Sequence, residues 1–89
     1  MKLWLLRPVE DLPPDHDKNP WEPWYDKAFG FVVRAETEEE ARGFAQRDSG
    51  DECGWRREKP TWLLPQWSTC TPLTEEGEAG VVIRDFASA

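Results

Sequence analysis

Apolar and polar positions alternate most regularly in AFGFVVRAE, residues 28–36. There Phe29, Phe31, Val33 and Ala35 fall on one side and Ala28, Gly30, Val32 and Arg34 on the other. A period of two is the pattern of a half-buried β-strand. KLWLLR, residues 2–7, is a second short strand, apolar on both faces and bounded by Pro8. Between the two lies an aperiodic stretch, residues 8–24, punctuated by Pro8, Pro13, Pro14, Pro20 and Pro23, which predicts a long irregular loop.

After the alternating segment the period changes. Thr37 followed by Glu40 is a capping box, in which each side chain satisfies a backbone N–H that the first helical turn leaves without a partner. A helix is expected from Thr37, closed by Gly50. At 100° per residue it collects Ala41, Phe44 and Ala45 on a narrow apolar stripe. Glu39, Glu40, Arg42, Gln46 and Arg47 are expected to point away from it. Gly54, Pro60 and Pro65 then break the pattern, so residues 51–66 read as loop. WSTCTPLT and VVIRDF, with the Gly-containing EEGEAG between them, read as the two arms of a β-hairpin.

The expected fold is a single α+β domain over residues 1–89, with a mixed or antiparallel sheet of about four strands. One helix covers one face. Because LWLL and VVI are apolar on both sides, the other face is assigned to the loops that carry Trp21, Trp24, Trp55, Trp62 and Trp67.

Size sharpens this picture. A chain of 89 residues has a thin core, which six tryptophans, four phenylalanines and one tyrosine can largely supply, since each ring buries a large apolar area. The mean hydropathy of −0.77 is low, but the apolar residues gather in clusters, which argues for a folded chain. No apolar run is long enough for a signal-peptide core or a membrane span, so the protein is expected in the cytoplasm, without membrane contact. Cys53 and Cys70 stand outside any CxxC motif and are expected as reduced structural thiols.

The net charge of −7 repels nucleic acid and attracts basic surfaces, so direct DNA or RNA binding is not expected. Searched for chemistry, the chain offers little. His16 in Asp15-His16-Asp17 has no ligand spacing suited to a metal. No glycine-rich turn flags either cysteine as a nucleophile, and a helix start rich in glutamate repels phosphate. Neither a catalytic residue, a metal site nor a cofactor is assigned, and the chain is expected not to be an enzyme.

Acid in patches and excess tryptophan remain. The plain reading of the charges is solvation plus helix capping, and that of the tryptophans is a covered core. The functional reading assigns Glu39, Glu40, Asp48, Asp51 and Glu52 to a surface that meets a basic partner. Trp21, Trp24 and Trp62 are the alternative, apolar binding set, since tryptophan is enriched at interface hot spots. A monomer is expected ahead of a dimer through the hairpin edge.

The block PWEPWYDKAFGFVVRAETEEEAR, together with STCTPLTEEGEAGVVIRDFASA, resembles a family of small uncharacterised proteins of bacteria and their phages. That family carries no assigned activity, so the resemblance implies no catalytic position. In size and charge the chain is also similar to anti-CRISPR proteins that act on type I effector complexes as DNA mimics. This second resemblance implies an acidic inhibitor that blocks DNA access to a basic groove. Duplex DNA carries one negative charge per about 1.7 Å of axis, and a rigid array of carboxylates can occupy a Lys/Arg groove built for it. A small accessory module that binds through its tryptophans is the alternative.

Overall fold

The computed structural model describes residues 1–10, 12, 20–21 and 26–85. It is an α+β fold with three antiparallel strands and one helix: β1 (Lys2–Pro8), β2 (Phe31–Ala35), α1 (Glu38–Arg47) and β3 (Ser68–Leu73), with a 3-10 turn at Asp51–Cys53. The strand order is β2-β1-β3 in an open sheet. β1 is therefore the central strand, pairing Leu6 with Phe31 on one side and with Cys70 on the other.

The register sorts the side chains into two faces. Trp4, Leu6, Phe31, Val33, Ala35, Ser68 and Cys70 share one face, and Leu3, Leu5, Arg7, Val32, Arg34, Thr69 and Thr71 the other. Trp4, Leu6 and Ala35 are buried against Ala41 and Ala45 of α1, together with Trp21, Cys53 and Trp62. Helix and tryptophans thus cover the same face. Trp21 meets Trp62 edge-on at 4.8 Å between ring centroids, and Phe31 does so at 4.9 Å. Such T-shaped pairs add to what area burial alone supplies.

This corrects the assignment of the tryptophans to the opposite face. The segment after β3 crosses there instead: Ile83 and Asp85 border a shallow groove of about 140 Å³ with Leu5, Arg7, Gly30 and Val32. The expected hairpin does not form. β3 pairs with β1, residues 81–85 make no strand, and Val81 and Val82 are exposed. Pro72 supplies the reason, because a strand that contains proline lacks one ladder donor and is confined to a sheet edge. Phe86, the last apolar residue of the expected second arm, lies outside the described residues, as do residue 11, residues 13–19 and residues 22–25 of the Pro-rich region.

The helix begins as its capping box requires. Glu40 N–H donates to Thr37 Oγ1 at 3.2 Å, and Glu36 N–H donates to Glu40 Oε1 at 3.4 Å. It ends at Asp48, ahead of Gly50. Two side chains expected to point outward turn inward. Arg42 is buried, and Gln46 bonds the loop behind the helix. Phe44, expected on the buried stripe, sits exposed at the rim beside β2.

Candidate functional site

α1 holds a buried polar scaffold together from one side. Arg42 donates from Nε to Glu38 Oε2 at 2.9 Å, from Nη1 to Trp62 O at 3.0 Å and Ser68 Oγ at 2.9 Å, and from Nη2 to Ser68 O at 3.1 Å. The planar guanidinium suits this fixed fan of acceptors. One turn later Gln46 Nε2 donates to Lys59 O at 2.6 Å, while Gln46 Oε1 accepts from Trp62 N–H at 3.1 Å and from Cys53 Sγ at 3.3 Å.

Glu52 closes the scaffold from the other side. Its Oε2 accepts from Trp62 Nε1–H at 2.7 Å, its Oε1 from Ala28 N–H at 3.1 Å, and Gly50 N–H reaches both oxygens at 3.1 Å. The side chain is fully buried. Its two oxygens face N–H donors only, as a carboxylate requires and an amide would not allow.

The acidic residues singled out from the sequence therefore part company. Glu52 is a core acceptor and cannot reach a partner from the folded chain, which corrects its surface assignment. Asp51 is half-buried, joined to Asp26 through its backbone N–H at 2.6 Å and its carboxylate at 3.3 Å. Asp48 borders a groove on the β2 side with Phe44 and Arg34. Glu39 and Glu40 stay exposed at the start of α1 beside Glu36 and Glu38, so only these gather on one surface. Arg42, buried beneath, neutralises Glu38 through their ion pair, so Glu36, Glu39 and Glu40 are the carboxylates there that it leaves uncompensated.

The tryptophans part in the same way. Trp21 and Trp62 are buried, so neither offers a contact surface, and Trp24 lies outside the described residues. Trp55, read from the sequence as a covering residue, is 78 % exposed. Arg56 stacks on its indole at 4.4 Å.

The loop that presents Trp55 is well braced. Arg57 N–H donates to Gly54 O at 3.0 Å and Lys59 N–H to Cys53 O at 2.9 Å. Gly54 has φ +80°, and a Cβ there would meet the Glu58 carboxylate at 2.6 Å. Glycine answers both constraints. The signal in the sequence was the local run Gly54-Trp55-Arg56-Arg57, a tryptophan among polar residues with no apolar neighbour to pack against.

No family model, curated protein or solved structure matches the chain.

Both cysteines are free thiols. Burial is the main reason that the Cys70 thiol titrates above its ordinary value of 9.0; nearby Arg42 lowers it and Glu38 raises it. The thiol form, which is neither nucleophile nor metal ligand, is thus favoured at neutral pH. Iodoacetamide at pH 8 is expected to label Cys70 more slowly than a cysteine in unfolded peptide, and buried Cys53 more slowly still, measured by mass spectrometry over time. Deprotonation opposes the fold here: stability from Cys70 is complete below its unfolded value and declines as pH rises through the higher folded one. Among the described residues no group of three or more His, Cys, Asp or Glu side chains is placed to hold a metal. The Asp15-His16-Asp17 cluster lies outside them. No helix among them is long and apolar enough to cross a membrane.

Proposed function

We propose that this chain is a non-enzymatic binding protein whose carboxylate-rich helix start docks on a basic, nucleic-acid-handling surface of a bacterial complex and excludes DNA from it. The observation that carries the reading is the inward turn of Arg42. It leaves Glu36, Glu39 and Glu40 exposed at one end of α1, with no arginine of the helix's first two turns on that surface. The capping box fixes the backbone from which these side chains project. A pre-organised anionic end of this kind is steered toward Lys/Arg grooves. An anti-CRISPR inhibitor that mimics DNA on a type I effector is the form this takes.

The test is competition between the protein and duplex DNA for a purified type I effector, at low and at high salt. Wild type is expected to displace DNA, and less so at high salt, because exposed charges are screened. Glu36→Lys with Glu39→Lys is expected to lower inhibition by about tenfold or more, since reversed charges meet like charges across the contact. Glu40 is left in place because its side chain closes the capping box. Inhibition undiminished in the double variant rules out the charge mechanism.

The exposure of Trp55 favours a second reading, an accessory module that binds through its tryptophan-bearing loop rather than its charge. In that case Trp55→Ala abolishes binding, the double charge variant keeps it, and the complex survives high salt.

A further inference from the structure

Arg56, Arg57 and Lys59 set three cations within four residues of a chain whose net charge is −7. The fold keeps them away from the acidic start of α1. At the last turn of the helix Gln46 Nε2 donates to Lys59 O at 2.6 Å and to Arg57 O at 3.4 Å, and Arg57 Nη2 donates to Ser49 O at 3.3 Å. The loop is thereby tied to the C-terminal end of α1. Ten residues of helix are about 15 Å long. That is nearly two Debye lengths at physiological salt, so the glutamates at the other end are largely screened from the loop. Against the carboxylate of Glu58, which folds back to accept Arg56 N–H at 3.1 Å, the loop keeps a net positive charge.

Trp55 stands beside these cations, 78 % exposed. Arg56 covers one face of its indole, 4.4 Å from the centroid, and that exposure leaves the other face open. A stacked guanidinium keeps its N–H donors in its own plane, directed past the edge of the ring. Arg57 has φ +55°, a left-handed conformation that a residue other than glycine rarely takes. It persists because the hydrogen bonds to Gly54 O and Cys53 O fix the turn around it. The surface is thus formed in advance, and little ordering remains for a ligand to impose.

We propose that this loop binds single-stranded nucleic acid, with one base stacked on the open face of Trp55 and the flanking phosphates held by Arg56, Arg57 and Lys59. A planar ring bordered by cations matches a base bordered by phosphates. An acidic peptide would use the charge and leave the indole without a partner, and a duplex keeps its base faces inside its own stack. The net charge of the whole molecule sets the expectation against nucleic acid, and the segregation of charge along α1 overrides it at this one place. Neither functional reading above assigns this ligand.

Fluorescence anisotropy of a labelled oligothymidylate about ten nucleotides long, titrated with the full chain at several salt concentrations, tests this. Wild type is expected to bind, with a slope of about −2 in log affinity against log salt for about three phosphates neutralised. Trp55→Ala is expected to raise the dissociation constant about fivefold or more with the slope unchanged, and Trp55→Phe to recover part of the loss. Arg56→Gln is expected to make the slope shallower by about 0.7. Circular dichroism checks that each variant folds. No binding at about 100 μM protein in low salt overturns the proposal, as does affinity that Trp55→Ala leaves unchanged. A duplex of the same length bound as tightly, or polyglutamate competing as well as the oligonucleotide, also overturns it, since either would show charge acting without stacking. None of these results bears on DNA exclusion through Glu36 and Glu39, and a protein complex that needs Trp55 but survives high salt would be the second reading without this ligand.

Discussion

Glu52→Gln is expected to lower the unfolding free energy by about 3 kcal/mol, because the new amide NH₂ must face backbone or indole N–H groups that now have a carboxylate oxygen. Whichever way the amide turns, at least one buried donor loses its acceptor: Trp62 Nε1 and Gly50 in one orientation, Ala28 and Gly50 in the other. The rest of the side chain is unchanged in shape, so no cavity obscures the result. For a domain of this size each kcal/mol moves the melting temperature by roughly 4–8 °C, so a fall of more than 10 °C is expected. Urea and thermal denaturation followed by tryptophan fluorescence measure it directly, since Trp62 is the donor. Glu39→Gln, an exposed change, is the control and should stay within about 0.5 kcal/mol. A Glu52→Gln protein as stable as wild type would mean that this carboxylate is not a buried acceptor.

Arg42→Ala is expected to cost about as much, near 3 kcal/mol, for a different reason. It takes the guanidinium donors from Ser68 O and Ser68 Oγ, leaves Trp62 O with only the Ser68 hydroxyl at 3.3 Å, and opens a void where the guanidinium lay. Lysine at this position separates the two effects. Its aliphatic stem refills much of the space, but a single ammonium cannot reproduce the fork, so Arg42→Lys is expected to recover less than half of the loss. Glu38→Ala removes the ion-pair partner alone; because Glu38 is half exposed, its loss should remain under about 1 kcal/mol. Equal stabilities for the alanine and lysine variants would show that packing, and not the hydrogen-bond fan, is what Arg42 contributes.

These two residues mark where reading the sequence stopped. β1, β2 and the capped start of α1 were legible because each is signalled locally, by alternation, by apolar content and by Thr37 with Glu40 three residues on. Arg42 and Glu52 were read as surface because charged side chains are rarely buried without partners, and their partners are remote in sequence: Ser68 for Arg42, and Ala28 and Trp62 for Glu52. Local pattern cannot supply such pairings. The C-terminal hairpin failed for the same reason, since VVI carries strand propensity but the sequence does not state that β3 prefers β1. Of the acidic set, Glu39 and Glu40 stand where the helical period placed them, while Asp48 was carried to the β2 groove by rotation along the helix. Trp55 was hidden among tryptophans that did enter the core.

The order of the strands governs how this chain can fold as it is made. β1 is synthesised first yet lies in the middle of the sheet, with β2 on one flank and β3, much later in the sequence, on the other. Leu6 is apolar and fully buried in the finished fold, but its cross-strand neighbour Cys70 emerges from the ribosome long after its β2 neighbour Phe31. At roughly 5–20 residues per second, the wait for β3 lasts several seconds. Until then β1 has at most one edge paired and one apolar edge open. Distant pairing of this kind also slows refolding in solution, since long loops must close before the contacts that reward closure exist. The nascent chain is thus most vulnerable to mispairing between the appearance of β2 and that of β3, and in that interval α1, already able to form from its own capping signals, is the element best placed to shield the face that carries Trp4 and Leu6.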